Sequence, residues 1–235
     1  MAQINKPVQE VNQLEKLRGF WAQYSKPVTY IGTALVVLII GFAVYKYMVL
    51  EPKNVKANDA VFVTQQYFEE FTGATDSSKA LLAAKVLNGD GVNPGALKIM
   101  NDYSGSEAAN LCAYYTGACY LHLGQFDKSL TYLKDFDAHG ATQIQSRSLG
   151  MMGDASAELN KNDDALSYYK KAASVNEKDD FTSSEFLFKA ALFAETTGKT
   201  KEAVDLFKKL KTNYPGSEKA ADADRYLAKL GEFSE

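Results

Sequence analysis

The chain is poor in the residues on which active sites most often rest: two histidines, two cysteines and one tryptophan in 235 residues. Two cysteines cannot build a disulfide framework, and nothing in the composition points to disorder or collagen. Charge of one sign is lacking too, with 26 basic residues against 29 acidic for a net of -3. That balance gives no electrostatic footprint for nucleic acid, so a DNA or RNA partner is excluded. Phosphate-cradling glycine loops, serine-nucleophile motifs and paired-histidine motifs are all missing. No enzyme activity, no cofactor and no metal site is expected. Alternating β-branched runs are missing as well, while alanine, leucine, lysine and glutamate dominate past Glu51. The length exceeds one ordinary compact domain without filling two.

What is present is a dense apolar block near the N-terminus. No charged residue stands from Pro27 to Tyr45, and after Lys46 the run resumes through Leu50. A bilayer-spanning helix needs about 20 apolar residues, which Val28 to Leu50 supplies. Lys46 is placed to snorkel, with Tyr45 and Tyr47 at one end and Trp21, Tyr24 and Tyr30 at the other as an aromatic belt. A cleaved signal peptide is the competing reading. It is disfavoured by the long stretch ahead of the apolar run and by Glu51 and Pro52 where a cleavage site would stand. No cysteine follows to accept lipid, so an uncleaved single-pass anchor is expected.

Orientation from charge is nearly even. Lys6, Lys16, Arg18 and Lys26 precede the span, and Lys46, Lys53 and Lys56 follow it. Discounting Lys46 tips the count slightly toward an inside N-terminus. Ahead of the span, Val11, Leu14, Leu17, Phe20, Trp21 and Tyr24 recur at helical steps. They predict a short amphipathic helix lying on the membrane surface or a plain helical extension of the anchor.

Beyond the span, three stretches align on one another. Gly117, Gly153 and Ala191 occupy one position, Ser129, Ala165 and Ala203 a second, and Leu133, Tyr169 and Phe207 a third. The steps are 36 residues from 117 to 153 and 38 from 153 to 191. A small residue on the first helix of each hairpin facing a small one on the second lets the backbones approach, and large side chains fill the gaps between hairpins. Gly124 and Gly198 stand at turns, Asn160 replaces the glycine in the middle unit, and Pro215 closes the last.

At these residues, with Tyr120 among the aromatics, the chain resembles the tetratricopeptide repeat family, whose units recur at about 34 residues. The predicted fold is all-α: a single N-terminal transmembrane helix followed by a tetratricopeptide-repeat helical solenoid. Its expected parts are an amphipathic segment at 1–26, the transmembrane helix at 27–50, a divergent helical hairpin region at 51–105, three repeats at 106–216 and a capping helix at 217–235. In the divergent region Val61, Thr64, Tyr67, Phe68 and Phe71 form one stripe. Asp76, Ser77 and Ser78 read as cap signals for a helix over 80–86, and a loop from Asn88 to Gly95 precedes a short helix ending near Tyr103.

An anchor placed directly before a divergent hairpin and a short repeat array is similar to a narrower family, the YfgM-type proteins of bacterial envelopes. The likeness is carried by Leu87, Asn88, Gly89, Asp90 and Gly91, then Ala108, Ala109, Asn110, Leu111 and the hairpin from Tyr114 to Gly124. The resemblance implies an ancillary partner of the Sec translocon linked to periplasmic chaperones. It also implies a cytoplasmic N-terminus, an inner-membrane span and repeats in the periplasm. An envelope-assembly adaptor in cell-wall or outer-membrane biogenesis is the alternative that the sequence leaves open.

In such repeats the first helix of each hairpin lines the concave side. The candidate protein-binding groove is therefore Leu111, Tyr114, Ala118, Leu121 and His122, then Arg147, Asp154 and Glu158, then Glu185, Phe188, Leu192 and Glu195. Each of these side chains could instead pack against a neighbouring helix. A clamp for a C-terminal carboxylate needs basic residues and asparagine where this chain has Tyr114, Ala118, Met151, Glu185 and Lys189, so that ligand is disfavoured. Cys112 and Cys119, two helical turns apart, are expected as buried apolar residues rather than as a disulfide or as a site with His122. Asn88 to Asp90 faintly resembles a calcium loop but lacks the later carboxylates, so a turn is expected. Ala165 and Ala203 are expected at helix crossings and Ala220 on the surface.

Overall fold

The computed structural model describes the backbone of residues 8–232, and the side chains of Glu15 and of 18–232. Lys6, Lys16 and the face formed by Val11, Leu14 and Leu17 therefore lie outside the described side chains. The chain divides into two units, Met1–Lys53 and Asn54–Glu235. Helices account for the secondary structure of the described residues, with one isolated bridge between Gly89 and Pro94.

In the first unit, helix α1 covers Val8–Tyr45 and contains Pro27. Of the two readings of the segment ahead of the span, the backbone follows the plain helical extension, continuous with the apolar stretch. Pro27 removes one backbone N–H and leaves the carbonyl four residues back without its helical partner, a loss of one bond that does not end the helix here. The hydroxyls of Thr29 and Thr33 donate to the carbonyls of Ser25 and Thr29 at 2.7 and 2.8 Å, so neither polar group is left open on the apolar surface. The π-helical turn Lys46–Leu50 follows, and the Glu51 N–H donates to the Lys46 carbonyl five residues back. Pro52 explains the widened turn: its ring would clash with the Met48 carbonyl in a regular α-helix, and an i to i+5 pattern moves that carbonyl away. One helix among the described residues is long and apolar enough to cross a membrane. No side chain between Val28 and Val49 is buried, and Leu38 and Ile39 are 69% and 66% exposed.

The second unit is a stack of helices: α2 (Glu51–Gly73), α3 (Asp76–Asn88), α4 (Ala96–Asp102), α5 (Glu107–His122), α6 (Phe126–Asp135), α7 (Thr142–Glu158), α8 (Asn162–Ser174), α9 (Asp180–Thr196), α10 (Thr200–Asn213) and α11 (Glu218–Lys229). Thr75, not the Asp76–Ser78 run, stands at the N-cap of α3, and Asp76 sits in the first turn, where its charge faces the helix dipole. From the stripe on α2, Val61, Thr64 and Phe71 are buried, and Phe68 stacks on Tyr115 of α5 at 4.1 Å.

Helices α5/α6, α7/α8 and α9/α10 form three hairpins of one design. A Cβ added at Gly117 would overlap Leu133, and one added at Gly153 would overlap the Tyr169 ring. Ala191 and Phe207 are fully buried in the same core. Ser129, where the other hairpins carry alanine, is also fully buried, and its hydroxyl donates to the Gly117 carbonyl at 2.8 Å. The polar departure from the repeat pattern is thereby satisfied rather than left costly.

The three turns repeat atom for atom. Gly124, Asn160 and Gly198 have φ of +71°, +57° and +77°. Their N–H groups donate to Leu121, Ala157 and Glu195, and the next residues donate to Tyr120, Ser156 and Ala194. This is the Schellman closure, which needs one left-handed residue. Asparagine tolerates that conformation better than other side chains do, so Asn160 keeps the turn.

Ala220 corrects the sequence reading. It is 4% exposed, because α11 packs on α9 and α10, and its N–H donates to the Ser217 Oγ cap. Ala221 is the exposed neighbour. Ala165→Leu and Ala203→Leu should therefore each destabilise the 54–235 unit by about 1 to 3 kcal/mol through overpacking, whereas Ala221→Leu should stay within about 0.5 kcal/mol. Urea unfolding of the three variants measures this, and equal midpoints would show the crossings to be misplaced.

Candidate protein-binding groove

The first helices α5, α7 and α9 lie side by side and touch in succession, and α11 follows α9 in the fourth place. The groove residues read from the sequence separate into two sets on this surface. Leu111 packs on the core shared by α2 to α5, and Leu121 on that between α6 and α7. The Tyr114 ring is edge-on to Phe68 at 5.9 Å and lies 5.3 Å from Phe136. Burial raises the pKa of its hydroxyl, opposed by the charge of Arg147. Phe188 is edge-on to Phe207 and Tyr226 at 5.8 and 5.5 Å, which stack on each other, and the Lys219 ammonium is 5.6 Å from its ring centre. Leu192 packs on the same core, and Glu195 is bound by Lys229 of α11 at 2.6 Å. These side chains join hairpins to one another. Ala118 is half-buried, while His122, Arg147, Glu158 and Glu185 are exposed.

Asp154 occupies the middle of the surface. It accepts from the Tyr169 hydroxyl at 2.6 Å and is ion-paired with Lys189 at 2.6 Å. The lysine also lies 5.1 Å from the Tyr169 ring centre. Three helices, α7, α8 and α9, meet in this one network. Burial first, and then the bond to Asp154, hold the Tyr169 hydroxyl above its ordinary pKa. The sequence offers no sign of this link, because its members lie 15 and 35 residues apart in the chain. Phe181 is a different case: it extends the stripe of Glu185, Phe188 and Leu192 by one turn and is 75% exposed.

The alternative sites resolve by geometry. Cys112 and Cys119 are both free and fully buried, and desolvation pushes each thiol up to about 12. A thiol so placed stays protonated and is a poor nucleophile. His122 instead lies edge-on to Phe71 at 5.6 Å. Among the described residues no group of three or more histidine, cysteine, aspartate or glutamate side chains could hold a metal ion. Asp90 accepts from the backbone of Val92 and Asn93, from the Asn93 side chain and from the Tyr67 hydroxyl. Those donors, the Asn93 backbone first, hold its carboxyl well below the usual range. Its oxygens fasten the loop to α2.

Two tetratricopeptide repeat models match the chain, over residues 146–179 and 185–217. Residues 146–179 and 185–217 are tetratricopeptide repeats. They coincide with the α7/α8 and α9/α10 hairpins, and α5/α6 adds a third hairpin of the same geometry ahead of them. No curated protein matches the chain. Tetratricopeptide arrays are protein-interaction scaffolds, which makes the exposed part of the first-helix surface the candidate site.

Both cysteines should be silent to an aromatic disulfide reagent in the folded chain and react fully in urea. The sign of the pH effect follows from the raised thiols. The unfolded chain loses these protons from about pH 9 and the folded one only near 12. Stability is therefore lost as pH rises through that window, which pH-dependent urea midpoints of wild type and Cys119→Ala would show. Asp154→Ala, which strips Tyr169 and Lys189 of their shared acceptor, should cost about 1 to 3 kcal/mol in the same assay.

Proposed function

We propose that the chain is a non-enzymatic scaffold tethered to a bacterial inner membrane, whose periplasmic repeats bind proteins at the Sec translocon and assist exported chains. The observation that carries the tether is the apolar stretch Val28 to Leu50, in which no residue is buried. A helix of 23 residues is about 35 Å long, enough for a hydrocarbon core of about 30 Å. In water so large a contiguous apolar surface would aggregate. The repeats supply the protein-binding half of the reading. The YfgM-type likeness around Leu87 to Gly91 and Ala108 to Leu111 supports the translocon, the periplasm and the cytoplasmic N-terminus.

Protein binding falls to the first-helix surface, where Arg147, Glu158, Glu185 and His122 reach solvent and the packed side chains between them fix its shape. The buried thiols, and the bonds of Asp154 to Tyr169 and Lys189, support the non-enzymatic part of this reading.

A reporter active only in the periplasm, fused after residue 235, should be active, and one active only in the cytoplasm should be silent. The reverse would overturn the orientation. Photoreactive residues at Arg147 and Glu158 in the full-length protein should capture translocon subunits, periplasmic chaperones or nascent exported chains. Capture of one folded envelope-assembly protein at both positions would replace this reading with that of a fixed adaptor.

A further inference from the structure

The N-terminal ends of α9 and α11 enclose a cleft of about 370 Å³. Phe181 lines it from the first turn of α9 while keeping 75% of its surface in solvent. Asp180, Glu185 and Glu218 line the same cleft, and none of the three has an ion-pair partner among the described residues. Elsewhere on α9 to α11, Lys189 is held by Asp154, Lys229 by Glu195, Lys211 by Asp224 and Arg225 by Asp222. The cation at the cleft, Lys219, lies against the Phe188 ring.

Helix-dipole stabilisation accounts for Asp180 and Glu218, which sit in the first turns of α9 and α11. It does not account for Glu185, a turn further in, or for an aromatic ring held out in water beside it. An exposed ring with unpaired carboxylates around it has the complement of one kind of ligand. We infer that this cleft docks a protein segment in which an aliphatic or aromatic side chain stands next to lysine or arginine. The apolar group covers the Phe181 ring, and the cation takes the three carboxylates, where a guanidinium can also lie on the ring face. An acidic segment or a free C-terminal carboxylate is repelled from the same place. The inference rests on the scaffold reading above and names the chemistry of the partner within it.

The test uses the full-length protein in detergent micelles and three fluorescent peptides followed by anisotropy. The first is Gly-Leu-Arg-Phe-Arg-Leu-Gly; the second has glutamate for arginine, and the third has serine for leucine and phenylalanine. The first peptide should bind saturably, and each control about tenfold more weakly or less. Phe181→Ser, and separately Glu185→Gln with Glu218→Gln, should each weaken the first peptide about fivefold or more. The charge variant alone should flatten its salt dependence. All of these positions are exposed except the cleft floor, so unchanged circular dichroism and melting temperature verify that the variants are folded.

Equal binding of the three peptides, no binding of the first, or indifference to both variants overturns the inference. So does a dimer seen by light scattering that Phe181→Ser dissolves, because a second copy of the chain then covers the cleft. Photocapture from Arg147 and Glu158 that persists through a negative peptide result removes the cleft and leaves the scaffold reading in place.

Discussion

The close contact inside the first two hairpins, a glycine facing a large side chain, is the constraint on which the array depends. At Gly117 and Gly153 there is no room for even a methyl group, since Leu133 and the Tyr169 ring already fill it. Such proximity sets how far apart the paired helices stand, and the turn residue sets where the second helix begins. With both fixed, the partly buried faces of α5, α7 and α9 fall on one side. The candidate surface and the core are thus products of the same close approach.

A linear stack has no central core to correct a local fault, so each junction must be satisfied by its own neighbours. Three separate apolar clusters show this: one over α2 to α5, one between α6 and α7, and one over α8 to α11. Polar links reinforce the joints. Asp154 ties three helices together, and Lys229 of α11 reaches back to Glu195 of α9. Stability and recognition compete for the same helix face. Residues spent on the next hairpin, such as Phe188 and Tyr114, underlie the candidate groove, and only what projects past them stands in solvent.

The first unit is built on a different pattern. Its helix carries no charged residue from Pro27 to Tyr45, and the two threonine hydroxyls of that stretch turn back onto carbonyls of their own helix. The π-helical turn at Lys46–Leu50 answers to Pro52, and local chain chemistry accounts for it without reference to any neighbour.

The repeat register, the small positions and the three turns were legible in the sequence because each is dictated by contacts within one hairpin and recurs at a fixed step. Even the departures, Ser129 and Asn160, follow from local rules: a hydroxyl reaching the facing carbonyl and a side chain that tolerates positive φ. The apolar run announces a span by length and composition alone. Tertiary structure decided what periodicity cannot, namely which neighbour a helical face meets. Phe188 and Glu195 share a stripe with Glu185, yet α11 covers the first two and leaves the third in solvent. Ala220 and Ala221 are adjacent and chemically identical, and only the packing of α11 on α9 and α10 makes one buried and the other exposed. Helical spacing fixes the angle of a side chain about its own axis, whereas its burial depends on a second axis supplied by residues far away in the chain.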